Sequence, residues 1–128
     1  CVEHYQKGLS NIEGITLPAE ASWAKSIFWL YCIRVTPNGK EMNRDILAAR
    51  LQAQGVDTRP VFPPLHGQPA FQISAGLDSQ FPVATELAAT GLCLPMSNDL
   101  TTDDVDEICR LVREEIGHSR LVLAHAEH

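Results

Sequence analysis

The chain has 128 residues, 45% of them apolar and 20% charged, with ten Lys and Arg against sixteen Asp and Glu for a net charge of −6. That length suits one domain burying roughly two thirds of its unfolded surface, and the apolar content is too high for a chain kept disordered by its own charge. The acidic balance argues against nucleic-acid binding, which needs a basic face to displace counterions from phosphates, and no apolar run approaches the roughly 20 residues that cross a bilayer.

The amino terminus lacks the basic-then-apolar pattern of a leader, so the reading is a cytoplasmic protein. Residues 2–9 read as the end of a helix entered part-way, with Val2, Tyr5 and Leu9 on one face. Residues 15–17 and 26–35 read as strands. The second, SIFWLYCIRV, is rich in aromatic and β-branched residues and closes on a turn at Thr36, Pro37, Asn38 and Gly39.

A helix is expected over 44–54. Asn43 caps its free amides, Asp45 favours its positive end, Ile46, Leu47 and Leu51 form the apolar stripe, and Gly55 ends it. A short strand over 57–62 follows, then a loop in which Pro63, Pro64, Gly67 and Pro69 forbid regular pairing. Pro82–Thr90 reads as a short helix that Gly91 stops, and 92–94 as a brief strand. The last helix begins at Thr101 among Asp103, Asp104 and Asp106, buries Val105, Ile108, Cys109, Val112 and Ile116, and is expected to end near Gly117. The result is a small α+β domain over 1–117, its helices covering one face of a short sheet, with a tail at 118–128 that has no functional reading.

Local chemistry is sparse. Cys1, Cys32, Cys93 and Cys109 form no CxxC pair and read as reduced, mostly buried thiols. His4, His66, His118, His125 and His128 form no HxxxH or HExxH pattern, so no metal site is expected, and no GxSxG, phosphate-loop or GxGxxG motif occurs. The acids at 103–106 and at Glu114 and Glu115 suit a helix start and a solvated face. No catalytic residue is assigned. The mid-chain loop is the best candidate for binding: Arg59, Phe62 and His66 lie on backbone already restricted by proline, which lowers the ordering cost of binding. The structural alternative makes Phe62 core, pairs Arg59 with a surface carboxylate and has His66 satisfy the loop's own backbone.

The order of signals carries more information than any one of them. GVDTRPVFPPLHGQPAF at 55–71 is followed by FPVATELAATGLCLPMSNDLTTDDVDEICRLV at 81–112. A helix ending at Gly, a TRP strand, an aromatic, a P-Leu-His turn, a PVA helix, a Gly-Leu-x-Leu-Pro strand and an acid-capped helix occur in succession. This closely resembles the carboxy-terminal segment of the DegT/DnrJ/EryC1/StrS family of aminotransferases, up to about Gly117, and FWLYCIRV resembles the aromatic strand that opens its small domain.

The resemblance implies the C-terminal small domain of a fold-type I aminotransferase. The parent protein would use pyridoxal phosphate and glutamate to aminate a keto group on a nucleotide-linked sugar, most similarly to perosamine-synthase-type enzymes acting on a GDP-linked 4-keto-6-deoxy sugar. Phe62 and His66 would then line the substrate pocket near a homodimer interface. Arg59 would be a positioning cation or a structural partner of the turn, and Phe28, Trp29 and Tyr31 would pack the core and interface. Lys7, Lys25 and Lys40 do not resemble the family's Schiff-base lysine, and the acid that partners the pyridine nitrogen has no counterpart. The expectation is a domain that shapes substrate, needs the large domain of the same protein, binds no cofactor itself and is inactive alone. The alternative is a free-standing module that binds nucleotide sugars or oligomerises.

Overall fold

A computed structural model describes residues 1–37, 42–71 and 80–126, with side chains through His118. The elements in chain order are α1 (Val2–Leu9), β1 (Ile15–Thr16), β2 (Tyr31–Val35), α2 (Arg44–Ala53), β3 (Arg59–Pro60), 3-10 turns at Leu65–Gly67 and Pro69–Phe71, α3 (Pro82–Thr90), β4 (Gly91–Leu94) and α4 (Thr102–Ala126). The strands form one antiparallel sheet in the order β1-β2-β4-β3.

Side chains alternate across a strand, and β2 uses both sides. Tyr31, Ile33 and Val35 are fully buried, while Cys32 and Arg34 are half-buried. Register places Leu94 opposite Tyr31 and Leu92 opposite Ile33, so these four share the core face. Tyr5 and Leu9 from α1, Leu47 and Leu51 from α2, and Val105 and Val112 from α4 complete that core. Tyr5 stacks on Tyr31 at 4.7 Å between ring centres, and its hydroxyl donates to the Pro95 carbonyl at 2.8 Å.

The other face of the sheet carries Cys32, Cys93 and Arg34 beneath α3, where Arg34 Nη1 donates to Glu86 Oε1 at 3.1 Å. Helices therefore lie on both faces, not one. All four residues of β4 are buried, as befits a central strand that needs cover on each side. Gly91 follows Thr90 directly, so α3 runs into β4 with no connecting loop. Gly91 itself is extended, with φ −80°. A Cβ there would strike Val61 and the Leu87 carbonyl, so close approach, not left-handed backbone, requires this glycine. Gly55, with φ +84°, is a left-handed helix terminator.

Three boundaries differ from the sequence reading. The strand expected from residue 26 begins at Tyr31, because Phe28 takes φ +47°, Ser26 Oγ accepts from Phe28 N at 3.1 Å and Glu20 Oε1 accepts from Ser26 N at 2.6 Å. These contacts fold 26–30 into a loop. The strand expected over 57–62 shrinks to Arg59–Pro60, since Pro60 has no N–H to donate and sits on an edge strand. The last helix passes Gly117 and continues to Ala126. An interior Gly costs only about 1 kcal/mol against Ala, and SRLVLAHA beyond it is made largely of helix-compatible residues. Asn38, Gly39 and Lys40, and the side chains of His125 and His128, lie outside the described residues.

Both principal helices start as anticipated. Asn43 Oδ1 accepts from Ile46 N at 2.9 Å. At α4, Thr101 N donates to Asp104 Oδ2 at 2.9 Å while Asp104 N donates to Thr101 Oγ1 at 3.2 Å, a reciprocal capping box. The Thr101 hydroxyl and amide hold the Asp104 carboxyl below its ordinary value.

Candidate functional site

The chain leaves β3 through Val61, whose N–H donates to the Gly91 carbonyl at 3.1 Å. Two prolines then end pairing, and the loop satisfies its own backbone through successive 3-10 bonds: Gly67 N to Pro64 O at 3.0 Å, Gln68 N to Leu65 O at 3.1 Å and Phe71 N to Gln68 O at 2.9 Å. His66 sits in the first of these turns. Its ring stacks on Phe81 at 5.2 Å, and its Nε2 lies 3.1 Å from Thr85 Oγ1. The Thr85 hydroxyl also reaches the Phe81 carbonyl at 3.1 Å, and the donor in the His66–Thr85 pair follows the imidazole tautomer.

Phe62 is not core. It is 65% exposed and stacks at 6.4 Å on Trp29, which is 69% exposed. Trp29 also borders an open groove of about 620 Å³ lined by Ile27, Phe28, Met96 and neighbours. Leu65, Phe81, Val83 and Leu87 add further exposed apolar surface. The helix α3 has no buried residue at all. Polar contacts tether it: Glu86 to Arg34, Thr85 to His66, and the Ala88 carbonyl to Arg44.

Arg59 stands apart from this group. On β3 it shares a face with Asp57 two residues earlier, and its Nη2 donates to Asp57 Oδ2 at 2.9 Å with both side chains mostly exposed. The structure thus brings His66 together with Phe81 and Thr85, and Phe62 with Trp29, while Arg59 takes the surface-carboxylate pairing. Phe81 and Thr85 were missed from sequence. The signal available was the FPVAT run itself, in which Thr85 lies one helical turn after Phe81 and so on the same side.

Chemically, this surface can stack on rings and donate or accept hydrogen bonds. Within it, the Thr85 hydroxyl beside His66 also reaches the Phe81 carbonyl. Among the described residues no three His, Cys, Asp or Glu side chains cluster to hold a metal ion, and no helix is long and apolar enough to cross a membrane.

Residues 1–113 match the sequence pattern of the DegT/DnrJ/EryC1/StrS aminotransferase family. The chain belongs to that family. The erythromycin biosynthesis sensory transduction protein EryC1 of Saccharopolyspora erythraea is 36% identical over 107 residues, 83% of this chain and 28% of that protein. GDP-perosamine synthase of Caulobacter vibrioides is 31% identical over 105 residues, 81% of this chain and 28% of the enzyme. Among solved structures, DesV of S. venezuelae, in complex with a ketimine intermediate, superposes with a TM-score of 0.79 at 30% identity, over 89% of this chain and 29% of DesV. The chain thus spans under a third of the length of the relatives it matches. Its fold is the small α+β domain of sugar aminotransferases, as the landmark order from Gly55 to Val112 anticipates.

Proposed function

We propose that this chain is the C-terminal small domain of a pyridoxal-phosphate-dependent nucleotide-sugar aminotransferase, and that its Phe62–His66 loop and α3 enclose the sugar-nucleotide substrate near a homodimer interface. The observation that carries this reading is α3 itself. A helix with no buried side chain and with Phe81, Val83 and Leu87 facing solvent has no cover within the described residues. Apolar surface of this kind, beside an imidazole and two stacked aromatics, suits a site closed by the large domain or a second subunit.

In that setting Phe62 and Trp29 present a ring surface, and His66, oriented by Thr85 and Phe81, supplies a polar atom on a fixed plane. A hydrogen bond from it to a charged group of the substrate would contribute about 1.5–3 kcal/mol, roughly tenfold or more in affinity. Arg59 acts as a structural partner of Asp57 and not as a substrate cation. By analogy with GDP-perosamine synthase, the substrate is a GDP-linked 4-keto-6-deoxy sugar and glutamate the amino donor.

Pyridoxal phosphate, when bound, supplies the electron sink for amino transfer. A lysine joined to it must stand in a closed site, whereas Lys7 and Lys25 are both exposed. The described residues therefore do not fit the cofactor, and we assign its binding to the rest of a longer polypeptide. Incubating the native gene product with pyridoxal phosphate, glutamate and the GDP-linked keto sugar tests the reading through 2-oxoglutarate release. Turnover is expected; an aldimine formed on Lys7 or Lys25 would overturn the division of labour.

A further inference from the structure

Outside the Phe62–His66 surface, one pair of reactive side chains has no part in the function described. Cys32 in β2 and Cys93 in β4 are direct cross-strand partners in an antiparallel pair, and their Sγ atoms lie 2.9 Å apart. Both project from the sheet face opposite the aliphatic core, beneath α3. We propose that Cys32 and Cys93 form a reversible cross-strand disulfide, a redox modification site whose reaction partner is a low-molecular-weight disulfide such as oxidised glutathione.

Geometry favours closure. Directly opposed residues of antiparallel strands have Cα atoms about 4.5–5.5 Å apart, inside the span that a disulfide bridges, and an S–S bond of about 2.05 Å needs the two sulfurs to approach by under an ångström. Neither strand has to shift register. The other two thiols are placed differently: Cys1 is exposed, with its Sγ directed at the Leu100 carbonyl, and Cys109 is buried in the core against the His4 carbonyl.

The two sulfurs have unequal access, which orders the steps. Cys32 is half-buried and Cys93 only 5% exposed. The Cys32 thiolate attacks one sulfur of the external disulfide, whose other half leaves as a thiolate and takes up the proton Cys32 lost. The Cys93 sulfur, giving its proton to solvent, then attacks the Cys32 sulfur and expels the second small thiol. Two protein thiols are oxidised and one external disulfide is reduced to two thiols. Burial and the hydrogen bond with Cys32 raise the Cys93 thiol well above its ordinary value, so the second step is the slow one and accelerates in mildly alkaline buffer. Once formed, the bond joins positions 61 residues apart in sequence and encloses the Phe62–His66 loop and α3 between its ends.

The test is disulfide mapping of the native protein after incubation with graded ratios of oxidised to reduced glutathione, acid quenching, and alkylation under denaturing conditions. The expected result is a Cys32–Cys93 cross-linked peptide two hydrogens lighter than the sum of its thiol parts. It should increase with the oxidised fraction, disappear on treatment with dithiothreitol and be absent from Cys32→Ser and Cys93→Ser. Recovery of both cysteines as alkylated thiols at every ratio, or Cys32 held as a stable mixed disulfide with glutathione, would overturn the proposal. These readouts come from the unmutated protein, so misfolding of either variant does not affect them.

Discussion

Two stacked tyrosines make opposite predictions from nearly the same position. Tyr5 and Tyr31 are both fully buried, yet the Tyr5 hydroxyl reaches the Pro95 carbonyl whereas the Tyr31 hydroxyl has no partner among the described residues. A satisfied buried hydrogen bond contributes about 1 kcal/mol, and an unsatisfied buried polar group costs about 1–3 kcal/mol. Tyr5→Phe should therefore destabilise by about 1 kcal/mol in urea unfolding, while Tyr31→Phe should be neutral or stabilising. If both substitutions cost the same, the assigned pairing is wrong. Burial also lifts both phenols, Tyr31 to about 12 and Tyr5 further. The fold holds them neutral, so this contribution is complete below the unfolded value of about 10 and is lost as pH rises from there through the folded values. Thermal midpoints should fall on the alkaline side of pH 10, and less steeply in the Tyr31→Phe variant.

At the scale of elements, the Thr101–Asp104 box predicts that Thr101→Ala costs about 1 kcal/mol, measurable by chemical denaturation. Because the Asp104 carboxyl is depressed in the fold, the part of that stability due to Asp104 is present above its unfolded value and is lost as pH falls through the folded one. An unchanged midpoint in the variant would remove the cap from the account. Such local grammar was legible in the sequence: Asn43, Gly55, Pro82 and Thr101 each mark a terminus through a side chain or a dihedral that acts within a turn of itself. Strand extent was less legible, since SIFWLYCIRV has strand composition throughout and only the left-handed Phe28 and the Ser26 and Glu20 hydrogen bonds remove its first half. The face occupied by α3 depends on β4 being central in the sheet, which is a long-range fact. For the same reason Arg59, Phe62 and His66 looked like one cluster in sequence, seven residues apart at most. The edge strand and two prolines send Arg59 toward Asp57, and His66 toward α3.

At the scale of the whole molecule, the aliphatic core packs between the sheet and α1, α2 and α4, while apolar side chains of the Phe62–His66 loop, α3 and Trp29 stay exposed. Trp29, Phe62, Leu65, Phe81 and Val83 are each half or more exposed, a concentration that favours association. The 128-residue chain by itself should form dimers or larger species by light scattering, with Val83→Glu shifting it toward monomer; a monomeric mass at high concentration would argue against a covering partner. The central claim is that the Phe62–His66 surface meets the sugar nucleotide, and steady-state kinetics of the native protein address it most directly. His66→Ala should raise KM for the nucleotide sugar by about tenfold, as loss of a 1.5–3 kcal/mol hydrogen bond implies, Phe62→Ala should raise it through loss of ring stacking, and both should leave the glutamate KM and the cofactor absorbance unchanged. Unchanged sugar-nucleotide KM in both variants would contradict it.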